Sequence, residues 1–201
     1  MDLPHRSPTA CEKDSRVTPL CSHTSRVTSE AVFIGGRSGV GKTSVAFEVH
    51  ASLSAAGISH CLIDGDYLDM AYPAPWEHEL AERNLAAMWG NYRALGYRRM
   101  IYTSTVSVLP DVIAQLTDAM GDDPKVIAIL LTCTDITARR RLSRREIGST
   151  LDQHLESSGE KAGLLADSTA EWVHRVPTDD RVVCDIAADV IALTSWLREA
   201  S

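Results

Sequence analysis

No stretch of this sequence is apolar for long enough to cross a bilayer, and its first residues lack the continuous apolar segment of a secretory signal. Cysteine is sparse and unpatterned. Cys11, Cys21, Cys61, Cys133 and Cys184 are odd in number and show no C-x-x-C spacing, which excludes a disulfide framework and an evident zinc site. Positive charge is in deficit too: 20 Lys and Arg stand against 27 Asp and Glu, a net charge of -7 and a pI near 5.5. Such a surface is unsuited to coating nucleic-acid phosphates or anionic lipid. Aromatic residues make up only 5% of the chain, and none are interleaved with its one arginine-rich stretch, as a single-strand-binding platform would need. A reducing cytoplasm, with neither nucleic acid nor membrane as partner, is the expectation these absences leave.

What is present suits one folded unit. Hydrophobic residues form 44% of 201 and charged residues 23%, enough to bury a core and too short a chain for two independent ones. Residues 1–28, rich in Ser, Thr, Pro and Arg without periodicity, read as an extension without fixed structure. Residues 29–201 then alternate short apolar runs with amphipathic stretches, the rhythm of βα units around a parallel sheet. The runs are Ala31–Ile34, Ser59–Ile63, Met100–Ser104, Val126–Leu131 and a weaker Trp172–Val176. Helices are expected over Lys42–Ala56, Glu77–Leu95, Pro110–Met120, Asp135–Glu146 and Asp185–Leu197, with Gly57, Gly96 and Gly121 just past three of them as left-handed terminators. The stripe Leu80, Asn84, Met88, Tyr92, Leu95 has helical spacing and is expected in the core. The fold class is therefore α/β, a five-stranded parallel sheet with helices on both faces.

Gly36-Arg37-Ser38-Gly39-Val40-Gly41-Lys42-Thr43 matches G-x-x-x-x-G-K-[ST] at every fixed position, directly after one apolar run and at the start of a helix. Glycines let backbone N–H groups close on phosphate oxygens, and the uncapped helix start adds donors and the positive end of its dipole. The dipole contributes only about 0.3–1 kcal/mol at an exposed terminus. Most of the affinity must therefore come from the converging N–H groups, through Ser44, and from the Lys42 ammonium. Thr43 would ligate Mg²⁺, which takes hard oxygen ligands.

The second apolar run ends in Asp64-Gly65-Asp66. Ligands in parallel sheets bind beyond the carboxyl ends of the strands, so both carboxylates should face the phosphate loop. One suits general-base work on an acceptor hydroxyl, with Asp66 the first choice, and Asp64 suits the metal. The competing structural role is a cap on a short following helix.

These residues resemble the P-loop small-molecule kinases, especially adenylylsulfate-kinase-like and antibiotic-phosphotransferase-like members. The resemblance rests on the loop at 36–43, the D-G-D strand end at 64–66 and Glu82-Arg83-Asn84-Leu85, which is similar to an Arg-x-x-Asn helix of the adenylylsulfate kinases. It implies a P-loop fold with strand order 2-3-1-4-5, ATP and Mg²⁺ as cofactors, and a small-molecule acceptor. Two features depart from the pattern. The phenylalanine- and proline-containing segment that adenylylsulfate kinases carry after the third strand is missing, and that strand offers Thr103, Ser104 and Thr105 where many P-loop ATPases place a magnesium-organising aspartate.

In the resembling kinases the region of Asp135–Glu146 is a lid, and Arg141 and Arg145, on one helix face, are the arginines expected to stabilise the transferred charge. Pairing of the arginines with Asp135 and Glu146 is the structural alternative. The polar segment 148–168 would complete the lid. Tyr67, Tyr72 and Trp76 are expected beside the acceptor, with core packing the alternative for Trp76; Arg83 and Asn84 are expected within reach of the acceptor, and residues 175–181 along the adenine through main-chain contacts. His50 and His174 read as structural. His60 and Cys61, adjacent on a strand, point to opposite faces. The function so implied is ATP-dependent phosphoryl transfer; a nucleotide-hydrolysing switch, or a non-catalytic ATP-binding protein acting through a partner, is the alternative, and no N-K-x-D motif supports the switch.

Overall fold

The computed structural model describes residues 28–145 and 151–198, apart from the side chains of residues 76, 145 and 151–153. Cys11, Cys21, Glu146 and the extension to residue 27 lie outside this range, as does the side chain of Arg145. Five strands form one sheet: β1 Glu30–Gly35, β2 Cys61–Asp64, β3 Arg99–Thr103, β4 Lys125–Thr132 and β5 His174–Pro177. Their order is β2-β3-β1-β4-β5, all pairings parallel, as the resemblance implied. Each run of β-branched and apolar residues became a strand because parallel strands are covered on both faces.

The side-chain alternation of β1 divides the core. Val32 and Ile34 join Ile101, Ile129 and Leu131 under α1 (Lys42–Ala55) and α6 (Val183–Ala192). Ala31 and Phe33 join Met100, Tyr102 and Ile63 under α2 (Leu80–Ala94) and α3 (Pro110–Met120). A third cluster, Val108, Ala128, Leu130, Leu165 and Val173, seats α5 (Leu151–Ser168), and α4 (Asp135–Arg145) precedes α5 in the chain. Gly57, Gly96 and Gly121 all take positive φ just past α1, α2 and α3.

Helix α2 packs on a different face from the expected stripe. Leu85 and Trp89 are its buried residues, Met88 and Tyr92 only lean on the core, and Leu95 is 77% exposed. Asn84 is not core at all: its Nδ2 donates to Leu68 O at 2.6 Å. The rotation follows from a polar anchor. Asp122, after α3, accepts from Trp89 Nε1 at 3.3 Å, from Ser29 Oγ at 2.5 Å, and pairs with Arg93 at 3.2 Å. A buried indole N–H needs such a partner, and that requirement outweighs the two apolar positions at the ends of the stripe.

Candidate phosphoryl-transfer site

The parallel register brings three strand ends level, with Thr103 of β3 beside both Ile34 of β1 and Asp64 of β2. Just beyond them lies the loop 36–41. Gly36 has φ +145, and a Cβ there would stand 2.7 Å from Leu131 O and 2.9 Å from Val40 Cγ1, so the turn admits no side chain. Gly41 caps α1 in the left-handed region without a side-chain hydrogen bond, which leaves the first-turn N–H groups of a 14-residue helix for an anion.

The side chains of the loop and of the D-G-D turn meet. Lys42, only 8% exposed, donates from Nζ to Thr105 Oγ1 at 3.4 Å and lies 3.9 Å from Asp66 Oδ2. Thr43 Oγ1 donates to Asp64 Oδ2 at 3.3 Å. Asp64 also caps the short 3-10 turn Gly65–Tyr67, its Oδ1 accepting from Asp66 N at 3.2 Å. The cap and the contact with the loop are thus one arrangement: capping holds the carboxylate toward Thr43. Asp66 Oδ1 accepts from Thr105 N at 3.3 Å. Desolvation raises its pKa above the ordinary carboxylate value, as does Asp64, while Lys42 and the Thr105 N–H oppose the shift.

The donor set fits magnesium. Thr43 and Asp64 offer hard oxygens, and both line a cavity of about 440 Å³ with Thr103, whose Oγ1 is buried and has no hydrogen-bond partner among the described residues. An orphaned hydroxyl there suits a water of a hydrated ion. Among the described residues there is no group of three or more His, Cys, Asp or Glu that could hold a metal by itself.

A larger cavity of about 510 Å³ runs from the loop to Asp64, Asp66, Tyr67 and Met70 on one side, and to Arg141, Arg181 and Ile186 on the other. Arg141 does not reach the D-G-D turn. Its Nη1 donates to Val40 O at 2.9 Å and Thr178 Oγ1 at 3.0 Å, and its Nη2 to Thr178 O at 2.8 Å. In the segment after β5, fully buried Thr178 donates to Val40 O at 3.1 Å, and Asp179 accepts from Thr134 Oγ1 at 2.8 Å. Asp135, at the start of α4, pairs with Arg37 of the loop. Arg37 Nε in turn donates to Ser158 Oγ at 2.9 Å, and Ser158 Oγ donates to Ser38 O at 2.9 Å. Ser158 and Thr178 carry no motif, and only their burial beside the loop marks them.

His50 Nδ1 and His60 Nε2 are 2.8 Å apart, and His60 Nδ1 lies 2.7 Å from Ile58 O. The carbonyl requires a proton on His60 Nδ1, so His60 Nε2 accepts from His50. Cys61 points the other way, into the core, where burial pushes its thiol up to about 12.

A parallel β2-β3-β1-β4-β5 sheet with a phosphate loop after β1 is the fold of the P-loop small-molecule kinases. The adenylylsulphate kinase family profile matches residues 28–85, the stretch from β1 into α2 that holds the loop and both aspartates. Among solved structures the chain is similar to the Mycobacterium tuberculosis APS kinase in complex with AMPPNP and APS: 20% identity, TM-score 0.52, covering 83% of this chain and 97% of that one. It is similar to a Sinorhizobium meliloti gluconokinase at 17% identity and TM-score 0.55, covering 85% and 92%. A Deinococcus radiodurans tunicamycin resistance protein matches at 17% identity and TM-score 0.56, covering 82% and 94%. No curated protein matches the chain.

Proposed function

We propose that the protein is an ATP- and Mg²⁺-dependent kinase acting on the hydroxyl of a small molecule. The observation that carries this reading is the contact between the phosphate-loop lysine and a strand-end carboxylate, Lys42 Nζ to Asp66 Oδ2 at 3.9 Å. A carboxylate at that distance stands where a γ-phosphate held by Lys42 meets its acceptor. A loop that only stored nucleotide would have no need of a base there. The N–H groups of the loop and of the first turn of α1 that are not bonded to carbonyls, through Ser44, hold the phosphates together with Lys42; Gly36 and Val40 N–H are held by Thr105 O and Arg37 O. Magnesium, when bound through Thr43 and Asp64, neutralises charge on the phosphate oxygens.

Asp66 takes the proton of the acceptor hydroxyl as its oxygen bonds to the γ-phosphorus, while the bond from that phosphorus to the β,γ-bridging oxygen breaks and ADP leaves. Lys42 stabilises the charge that develops. Arg141, tied to Val40 and Thr178, acts as a positioning residue that holds α4 and the segment after β5 against the loop. Arg145 is proposed for the lid on sequence grounds alone. Incubation with γ-labelled ATP, magnesium and a panel of hydroxyl-bearing acceptors tests the proposal: acceptor-dependent transfer of label supports it, and phosphate release indifferent to every acceptor favours a switch.

A further inference from the structure

Lys42 and Asp66 belong to different elements, the start of α1 and the turn after β2, and a third element ties them together. Thr105, two residues beyond the end of β3, touches both of them and the phosphate loop as well. Its N–H donates to Asp66 Oδ1 at 3.3 Å, its Oγ1 accepts from Lys42 Nζ at 3.4 Å, and its carbonyl accepts from Gly36 N at 3.0 Å. Each polar group of one residue thus serves a different part of the site. On the metal side it is Thr103 that lines the cavity with Thr43 and Asp64, and Thr105 stands between the lysine and the base.

The segment that carries Thr105 is fixed on both sides of it. Ser104 N donates to Ile34 O at 3.3 Å, and the buried Ser107 Oγ donates to Ser104 O at 3.2 Å. Val108, fully buried, stands so close to β1 that a Cβ on Gly35 would lie 2.7 Å from its Cγ2. Groups that orient reacting atoms are effective when packing and hydrogen bonds lock their own mount. The lysine has particular need of one, because its ammonium ends a flexible stem. An ammonium has three N–H donors, so a bond to Thr105 is compatible with bonds to phosphate oxygens.

We propose that Thr105 is a positioning residue for the transfer step, its hydroxyl holding the Lys42 ammonium beside Asp66 so that the γ-phosphorus and the acceptor hydroxyl meet in line. The bonds divide this work within the residue. Main-chain groups hold the loop and the base, and any residue with an N–H supplies them; only the hydroxyl holds the lysine. Thr105→Val keeps the branched shape and both main-chain bonds but loses the tie to Lys42, whereas Thr105→Ser keeps the tie.

This inference rests on the kinase reading, and the test separates the two. In the full chain prepared with isotopically labelled lysine, the Nζ resonance of Lys42 is identified among those of Lys13, Lys42, Lys125 and Lys161 by its loss in Lys42→Met. Its ammonium hydrogens should exchange with water about tenfold or more faster in Thr105→Val than in the wild type, and at nearly the wild-type rate in Thr105→Ser. Equal rates in all three proteins, or exchange in the wild type already too fast to observe, would overturn the inference. With γ-labelled ATP and an acceptor from the panel above, Thr105→Val should lower kcat about tenfold to a hundredfold while KM for ATP and AMPPNP affinity stay within about twofold, and Thr105→Ser should keep kcat within about threefold of wild type. The melting temperature should be the same in all three. A kcat for Thr105→Val equal to wild type, or KM and melting temperature moving together with kcat, would also overturn it. Failure of the wild type to label any acceptor would instead sink the kinase reading, and this inference with it.

Discussion

Arg37 lies inside the phosphate loop, yet its guanidinium turns away from the cradle and donates from Nε to Ser158 Oγ of α5, 2.9 Å away. Both residues are buried, at 7% and 1% exposure. The loop and α5 are therefore one hydrogen-bonded unit. Ser158→Ala should leave a buried guanidinium N–H and the Ser38 carbonyl unpaired and cost about 1–3 kcal/mol, read as a lower urea midpoint at unchanged slope. A midpoint equal to wild type would show that the contact carries no stability.

Lys42→Ala removes the cation from the cradle and leaves its N–H groups in place. Turnover of ATP should fall about 10²–10³-fold, since one preorganised donor to developing charge is commonly worth that much. Near-normal turnover would place phosphate binding elsewhere.

Gly36→Ala tests the backbone of the same loop. The added Cβ would meet Leu131 O at 2.7 Å at a φ of +145, so the turn must open. Nucleotide affinity in calorimetry should be lost while the far-ultraviolet circular dichroism of the sheet and helices persists; retained affinity would mean that the loop accommodates the change.

Asp66 must be ionised to accept a proton, and its pKa lies above the ordinary carboxylate range because desolvation, reinforced by Asp64, outweighs Lys42. The acid limb of kcat/KM should therefore fall above the ordinary carboxylate range, with activity rising as pH rises through it. Asp66→Asn should abolish transfer and that limb together while AMPPNP still binds. A surviving limb would assign it to another group.

The His50–His60 pair makes stability depend on pH. Burial lowers the His60 pKa below 6.5, with smaller contributions from His50 and Arg99 and an opposing one from the Ile58 carbonyl. Between the lowered folded value and 6.5 the unfolded chain binds more protons. This contribution to stability is then complete above 6.5 and is lost as pH falls toward the folded pKa. In His60→Gln the fall in melting temperature between pH 7 and 5 should be smaller than in wild type, and an equal fall would count against the pair as its source.

The five strands, the main helices and the phosphate loop were legible because each is written in local spacing. Apolar runs of four to eight residues, terminal glycines and G-x-x-x-x-G-K-[ST] need no distant partner to be recognised. The stripe on α2 misled for the opposite reason: what rotates that helix is Asp122, 33 residues beyond Trp89, holding an indole N–H. Arg141 shows the same limit. Its place in an arginine-rich helix gave no sign of its partners in the fold: Val40 and Thr178, 101 and 37 residues away in the chain, hold its guanidinium.

By itself the sequence determined that an anion-binding turn joins a strand to a helix, with two aspartates at the end of the next apolar run, since backbone conformation and strand periodicity act over a few residues. Only the tertiary structure decided which carboxylate faces Thr43 and which faces Lys42. Those relations depend on parallel register and on charges brought together across the sheet, and an electrostatic field is a sum over positions in space that chain order does not contain.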